Sequence, residues 1–259
     1  MKQFHLLVSF ILVFNSNHLL AQNDSIYFWK GGIKINQLSI KTADLDSITF
    51  KRPSPTFIPL PSVTIGTQTW TTKNLDVTTY SDGTPIPQVT GQADWENLTT
   101  GAWCCYNNDP ANGAIYGKLY NWYAVVGIWN EASKTDATQR KKLAPTGYHV
   151  PSDAEWTELT EYLGGETVAG GKMKEIGTAH WLSPNTDATN SSGFTGLPGG
   201  FRFNEGSFGG DIGYGGSWWS SSEGITGIDW DGSLIYLSFY SKGYLTPKTG
   251  GFSVRCVRD

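Results

Sequence analysis

The sequence predicts an α+β domain in which two main helices accompany short, hairpin-connected strands, with a small β-hairpin ahead of it. Three observations predict this. The stretch from Ser152 to Gly165 carries a complete set of helix signals. Glycine makes up 31 of 259 residues, against an average of about 7%, so the chain is cut into short segments. Aromatic residues reach 14% while charged residues are only 16%, which places many large rings between tight turns and excludes a disordered chain.

The elements follow in order. Lys2, an apolar run from Leu6 to Phe14 and the small residue Ala21 form the pattern of a cleaved secretory signal over residues 1–21. No cysteine follows the expected cut, which argues against a lipid anchor there. No later run approaches the ~18 apolar residues that a membrane-spanning helix needs. The expected address is therefore exported, either secreted or at the outer cell surface, with the periplasm as the alternative. Residues 22–51 form a small unit. Asp24–Lys30 and Ile33–Ile40 alternate apolar and polar residues around Gly31-Gly32, a hairpin signal, and Leu45–Phe50 offers a third strand. This unit, ending in Asp46-Ser47-Ile48-Thr49-Phe50, resembles the short N-terminal hairpins of exported Bacteroidota proteins. Residues 52–62, with Pro53, Pro55, Pro59 and Pro61, read as an extended linker.

The main domain is expected over residues 63–259. Val63–Thr72 alternates through Gly66 as a hairpin. Ser81–Pro85 is a turn, Ala93–Leu98 a short helical turn, and Ala102–Asn107 a strand ended by Asn108-Asp109-Pro110. Ile115, Leu119, Trp122, Tyr123 and Val126 recur at helical spacing, so Ala114–Val126 is expected as one helix, closed by Gly127. Tyr148–Val150 is a short strand. Ser152 then stands as N-cap with Glu155 three residues on, a capping box, and Asp153 adds negative charge at the positive end of the helix dipole. Trp156, Leu159 and Leu163 make one apolar stripe, and Gly164-Gly165 supply a left-handed stop. A brief helix is expected at 168–176. Beyond Phe194 the pattern turns to strands at 199–203, 216–222, 233–240 and 251–258. In the last, Phe252, Val254 and Cys256 share one parity, which buries Cys256.

The net charge of −4 and the single basic run Arg140-Lys141-Lys142 argue against nucleic acid and against an anionic membrane surface. Cys104 and Cys105 are neighbours and point to opposite faces of a strand, so at most one can reach Cys256. One disulfide, or three buried free thiols, fits this set.

Several islands belong together: Trp103–Asp109, Tyr116–Val125, Pro145–Trp156, Gly199–Arg202, Trp218–Ser222 and Gly251–Arg258. Their order over residues 63–259 resembles the Fibrobacter succinogenes major paralogous domain. More distantly, the pattern is similar to formylglycine-generating, sulfatase-modifying enzymes. The resemblance implies a C-type-lectin-like fold: a few helices, a twisted antiparallel sheet, long loops and termini brought together. It also implies Cys104–Cys256 as the bridge, if one forms.

The chemistry of the residues points to binding. Formylglycine-type oxidation needs a pair of cysteines near the C-terminal strands, and only Cys256 lies there. Of the two histidines beyond the expected signal, His149 precedes the helix cap and reads as a structural hydrogen bonder, and His180 has no nucleophile motif beside it. No catalytic residue, metal ligand or cofactor is expected. A calcium site is the alternative, at Asp229-Trp230-Asp231-Gly232 or Asn107-Asn108-Asp109, both of which also read as Asx turns. The loops between 204 and 250 carry Phe208, Tyr214, Trp230, Tyr240 and Tyr244 among Gly, Ser and Asp. Rigid rings beside small polar residues suit recognition. The expected ligand-binding set is Tyr214, Asp229, Trp230, Asp231, Tyr240 and Tyr244, taking a glycan or a protein. The alternatives are a structural surface or matrix component and a sulfatase-modifying-type oxidase.

Overall fold

Alternating apolar and polar residues place the first hairpin where the sequence expects it. The computed structural model describes residues 23–30, 33–41, 59–223, 228–229, 231–235, 239–240 and 246–259, giving backbone alone at 23–41 and 228–240. Strands β1 (Asn23–Lys30) and β2 (Ile33–Lys41) pair antiparallel, Asn23 opposite Lys41, with a register shift between Phe28 and Trp29. The expected signal 1–21, the third strand 45–50 and most of the linker 52–62 lie outside the described residues. The chain divides into two units, Met1–Pro53 and Ser54–Asp259.

The larger unit runs β3 (Ser62–Ile65), β4 (Gln68–Thr71), α1 (Gln92–Glu96), β5 (Trp103–Cys104), α2 (Pro110–Tyr116), β6 (Leu119–Tyr120), α3 (Trp122–Val125), α4 (Ala132–Thr135), β7 (Tyr148–His149), α5 (Asp153–Tyr162), α6 (Glu166–Met173), β8 (Phe201–Arg202), β9 (Phe208–Gly209), β10 (Gly215–Trp219), β11 (Ile228–Asp229), β12 (Asp231–Ile235), β13 (Phe239–Tyr240), β14 (Thr246–Pro247) and β15 (Val257–Arg258). This mixture of helices and sheets is of the α+β kind, and among the described residues the named strands pair antiparallel. One sheet has the order β3-β4-β15-β7. Val257 pairs with Trp70 on one side and His149 on the other, so the two ends of the unit meet in one sheet.

Helix α5 forms as its sequence dictates. The Ser152 hydroxyl accepts from the Glu155 amide, and the Glu155 carboxylate accepts from the Ser152 amide at 2.7 Å, completing the capping box. Trp156, Leu159 and Leu163 are buried, each worth about 1.5–3 kcal/mol on removal from water. Gly164 takes φ 104°, a left-handed stop.

The expected single helix 114–126 is instead two helices separated by a strand. Gly117 breaks it, with φ 78° and ψ −165°. A Cβ there would lie 2.8 Å from Cβ of Asn74 and 2.9 Å from the Leu75 carbonyl, so only glycine allows this approach. The Lys118 amide then donates to that carbonyl, and Asn121 caps α3 through the Ala124 amide. The apparent helical stripe mixes three environments: Ile115 is 50% exposed, Leu119 belongs to one core and Trp122 to another. The expected strand 233–240 is likewise two, β12 and β13, paired through Ser233 and Tyr240.

Three apolar cores result. The first gathers Tyr120, Trp122, Tyr148, Trp219, Phe252, Val254 and Cys256. The second gathers Trp70, Trp156, Trp181, Phe194 and Trp218 under α5 and α6. The third holds Trp95, Ala102, Cys104, Tyr106 and Leu119. Trp218 and Trp219, neighbours on β10, serve different cores because strand side chains alternate.

Two buried arginines fasten the loops between them. Arg255 donates to Oδ1 of Asn74 and to the carbonyls of Thr71, Phe194 and Thr195 at 2.6–2.8 Å, and stacks 4.3 Å over Phe194. Burial brings its pKa down to about 9. Arg202 donates to the carbonyls of Val89, Thr90, Gly91 and Gly206 at 2.8–3.1 Å and lies 4.4 Å over Trp95. Asn74 saturates itself as a hub. Its oxygen accepts from Arg255 and from the Trp218 indole, and its nitrogen donates to the Tyr116 carbonyl and the Ser253 hydroxyl.

Candidate functional site

Where the cores stop, two loops leave apolar side chains open. The first follows α6 and runs over residues 174–185. Its inner side is anchored by Trp181, whose indole donates to the Gly196 carbonyl, and by buried Asn185, whose amide donates to the carbonyls of Glu175 and Gly177. Its outer side carries Leu182 at 40% exposure and Ile176 at 62%. The second loop, 210–214, joins β9 to β10. The Tyr214 amide donates to Asp211, and the Leu182 amide donates to the Gly213 carbonyl at 3.0 Å. That bond sets Leu182 beside Tyr214, which is 45% exposed.

The same two loops carry polar groups. Nδ1 of His180 lies 2.8 Å from Oε2 of Glu175, both half-buried. The His180 ring stands edge-on to Tyr116, centroids 5.8 Å apart. Burial, then the Glu175 charge, raises the Tyr116 hydroxyl pKa. The His180 carbonyl and the Leu182 side chain both abut Gly213. Asp211 is exposed and raises Tyr106 after burial does. The two loops therefore carry an exposed aromatic ring and an exposed aliphatic side chain, and the same loops carry Glu175, His180 and Asp211.

Of the residues expected to bind, Tyr214 is the one whose side chain is described. Asp229 is in β11 opposite Thr246, while Asp231 starts β12 opposite Trp219. Tyr240 is in β13 opposite Ser233. Trp230 and Tyr244 lie outside the described residues. Gly215 pairs with Ile235 at the other end of β10 from Trp219, so Tyr214, just before Gly215, and Asp231 stand at opposite ends of one strand pair, about 16 Å apart along it at ~3.3 Å per residue. Glu175, His180 and Leu182 were not expected at the site. Their loop meets the Tyr214 loop through the Leu182–Gly213 bond, a pairing across the chain that no local spacing reveals.

Residues 63–258 match the family model of the Fibrobacter succinogenes major domain. The chain belongs to that family. No curated protein and no solved structure matches it.

All of the described site, and all three cysteines, fall within this Fibrobacter succinogenes major domain. The Cys104–Cys256 bridge implied by resemblance is not formed: all three cysteines are buried free thiols. Alternation along the chain sends Cys104 into the third core beside Arg202, and Cys105 into the first, the one that holds Cys256. The neighbour that shares a core with Cys256 is thus Cys105. Burial pushes the Cys104 and Cys256 thiols up to about 12, against the pull of Arg202 and Arg255. At Asn107-Asn108-Asp109, the Asp109 carboxylate caps α2 through the Ala111 amide, and Asn107 and Asn108 adopt left-handed turns. Among the described residues, no group of three or more His, Cys, Asp or Glu is placed to hold a metal ion.

Proposed function

We propose that this domain is an exported, non-catalytic recognition module that takes a neutral glycan across the Leu182–Tyr214 surface. The observation that carries the reading is Tyr214, nearly half exposed on a loop that the Leu182–Gly213 backbone bond ties to the Leu182 loop, with Glu175, His180 and Asp211 in the same two loops. A sugar ring has an apolar C–H face and a rim of hydroxyls. The first suits a rigid aromatic ring, and the second suits carboxylate and imidazole acceptors. The two carboxylates would repel an anionic ligand, which favours neutral sugars. A loop pair tied by backbone bonds is also preorganised, so less ordering is lost on binding.

The C-type-lectin-like reading of the fold is supported by β15, which lies between β4 and β7 and so joins the two ends of the domain. The oxidase reading is disfavoured by the Cys256 thiol. That chemistry needs a pair of cysteines near the C-terminal strands, and Cys256 alone lies there. The structural-component reading draws on the β1–β2 hairpin, a separate unit. Two strands alone are marginal in water and gain from a partner.

An array of neutral and acidic oligosaccharides tests the proposal. Wild type should retain neutral sugars, and Tyr214→Ala and Leu182→Ala should each weaken that retention at least tenfold. Binding confined to acidic sugars, or unchanged by Tyr214→Ala, overturns it.

A further inference from the structure

His149 ends β7 opposite Val257 of the central strand β15. Its imidazole lies between two carboxylates from different elements. Nε2 is 2.6 Å from Oε1 of Glu155 in the first turn of α5, and Nδ1 is 2.8 Å from Oδ1 of Asp259, just past β15. An ionised carboxylate only accepts hydrogen bonds, and a neutral imidazole has a single N–H. Two short contacts to two carboxylates are therefore satisfied together by the imidazolium, which donates from both nitrogens.

The surroundings favour that form. Burial alone would lower the His149 pKa, but the hydrogen bonds and charges of Glu155 and Asp259 outweigh it and raise the value above 6.5. Burial opposes ionisation of Glu155, yet the Ser152 amide, His149 and the Ser152 hydroxyl together lower it below 4.5. The charged groups on the neighbouring elements are Asp153, Glu155, Glu158 and Glu161 of α5, and Arg258 and Asp259 at β15. Of these, Glu155 and Asp259 act on His149.

The two carboxylates are not held equally. Glu155 also accepts from the Ser152 amide and hydroxyl, each at 2.7 Å, and its side chain is 26% exposed. The Asp259 side chain is 48% exposed, and its backbone amide donates to the Gly147 carbonyl. A neutral His149 that keeps its N–H on Glu155 turns a bare lone pair toward Asp259. We propose that His149 is a proton-operated latch: as imidazolium it fastens the end of β15 to the N-terminus of α5, and on losing its proton it releases Asp259. The imidazole is 37% exposed, so solvent protons reach it.

The sign follows from the two directions. The His149 contribution is fully present below pH 6.5 and is lost as pH rises through its raised folded value. The Glu155 contribution is present above pH 4.5 and is lost as pH falls through its lowered folded value. The latch is therefore tightest between those two values and loosens on the alkaline side first at Asp259.

Long-range proton–nitrogen NMR on the full chain tests this. Both ring nitrogens of His149 should be protonated at pH 6.5, the ordinary histidine value. As His149 titrates, the exchange protection factor of the Asp259 amide should fall about threefold or more. Asp259→Asn removes one charge from an exposed side chain and should lower the His149 titration midpoint without changing the rest of the spectrum. The latch is overturned if His149 carries one protonated nitrogen at pH 6.5 and titrates at or below that value. It is equally overturned if Asp259 protection stays flat while His149 loses its proton.

Discussion

Around Arg255 the domain closes its loops with one side chain, whereas around Tyr214 it ties them by backbone bonds and leaves their side chains open. The Arg255 guanidinium is 1% exposed and reaches chain segments as distant as Thr71 and Phe194. Its partners are neutral: three carbonyls and one amide oxygen. A charge so placed is costly unless every donor is matched, and breaking such a site strands several buried acceptors at once. At Tyr214 the Leu182–Gly213 bond holds the backbone, and the Tyr214 and Leu182 side chains stay 45% and 40% exposed. In a fold whose strands are mostly two residues long, long-range side-chain ties supply stability. The positions they do not occupy are the ones open to contact other molecules.

Four substitutions probe this contrast. Arg255→Met should have the largest effect, a loss of about 3–5 kcal/mol in urea unfolding, because three buried carbonyls lose the guanidinium donor and Asn74 keeps only the Trp218 indole on its oxygen. Gly117→Ala should cost about 1–3 kcal/mol, since a Cβ there meets Asn74 and Leu75 in a left-handed conformation. Ser152→Ala should cost about 1 kcal/mol by removing half of the capping box on α5. Tyr214→Ala should stay within about 0.5 kcal/mol of wild type, as exposed substitutions do. If Tyr214→Ala destabilised the domain as strongly as Ser152→Ala, the surface would be part of the scaffold and the contrast would fail.

How much was legible in the sequence follows the same division. Helix α5 could be read because its signals are local: Ser152, Glu155, the apolar stripe and Gly164 all act within a few turns. The stretch 114–126 misled because residues from a helix, a strand and a second helix fall by chance at helical spacing. The decisive contact at Gly117 comes from Asn74 and Leu75, more than forty positions away. Arg255 and Arg202 stood out only as parts of family islands, and their burial depends on carbonyls supplied by remote turns. At the candidate site, Tyr214 was legible as a ring in a glycine-rich loop. Glu175, His180 and Leu182 were not, because loop pairing brings them there. The cysteines show the limit of resemblance: parity correctly separated Cys104 from Cys105, but the carried-over bridge chose the neighbour that faces away from the core of Cys256.

A neutral sugar received at the Leu182–Tyr214 surface, as proposed, would be visible residue by residue. The most direct measurement is an amide shift map of the isotope-labelled full chain, titrated with the neutral oligosaccharide best retained on the array. The largest shifts should fall in residues 175–183 and 208–214 and be abolished by Tyr214→Ala. Shifts centred instead on exposed Trp129 and the 127–142 loop, with residues 208–214 unmoved, would contradict it.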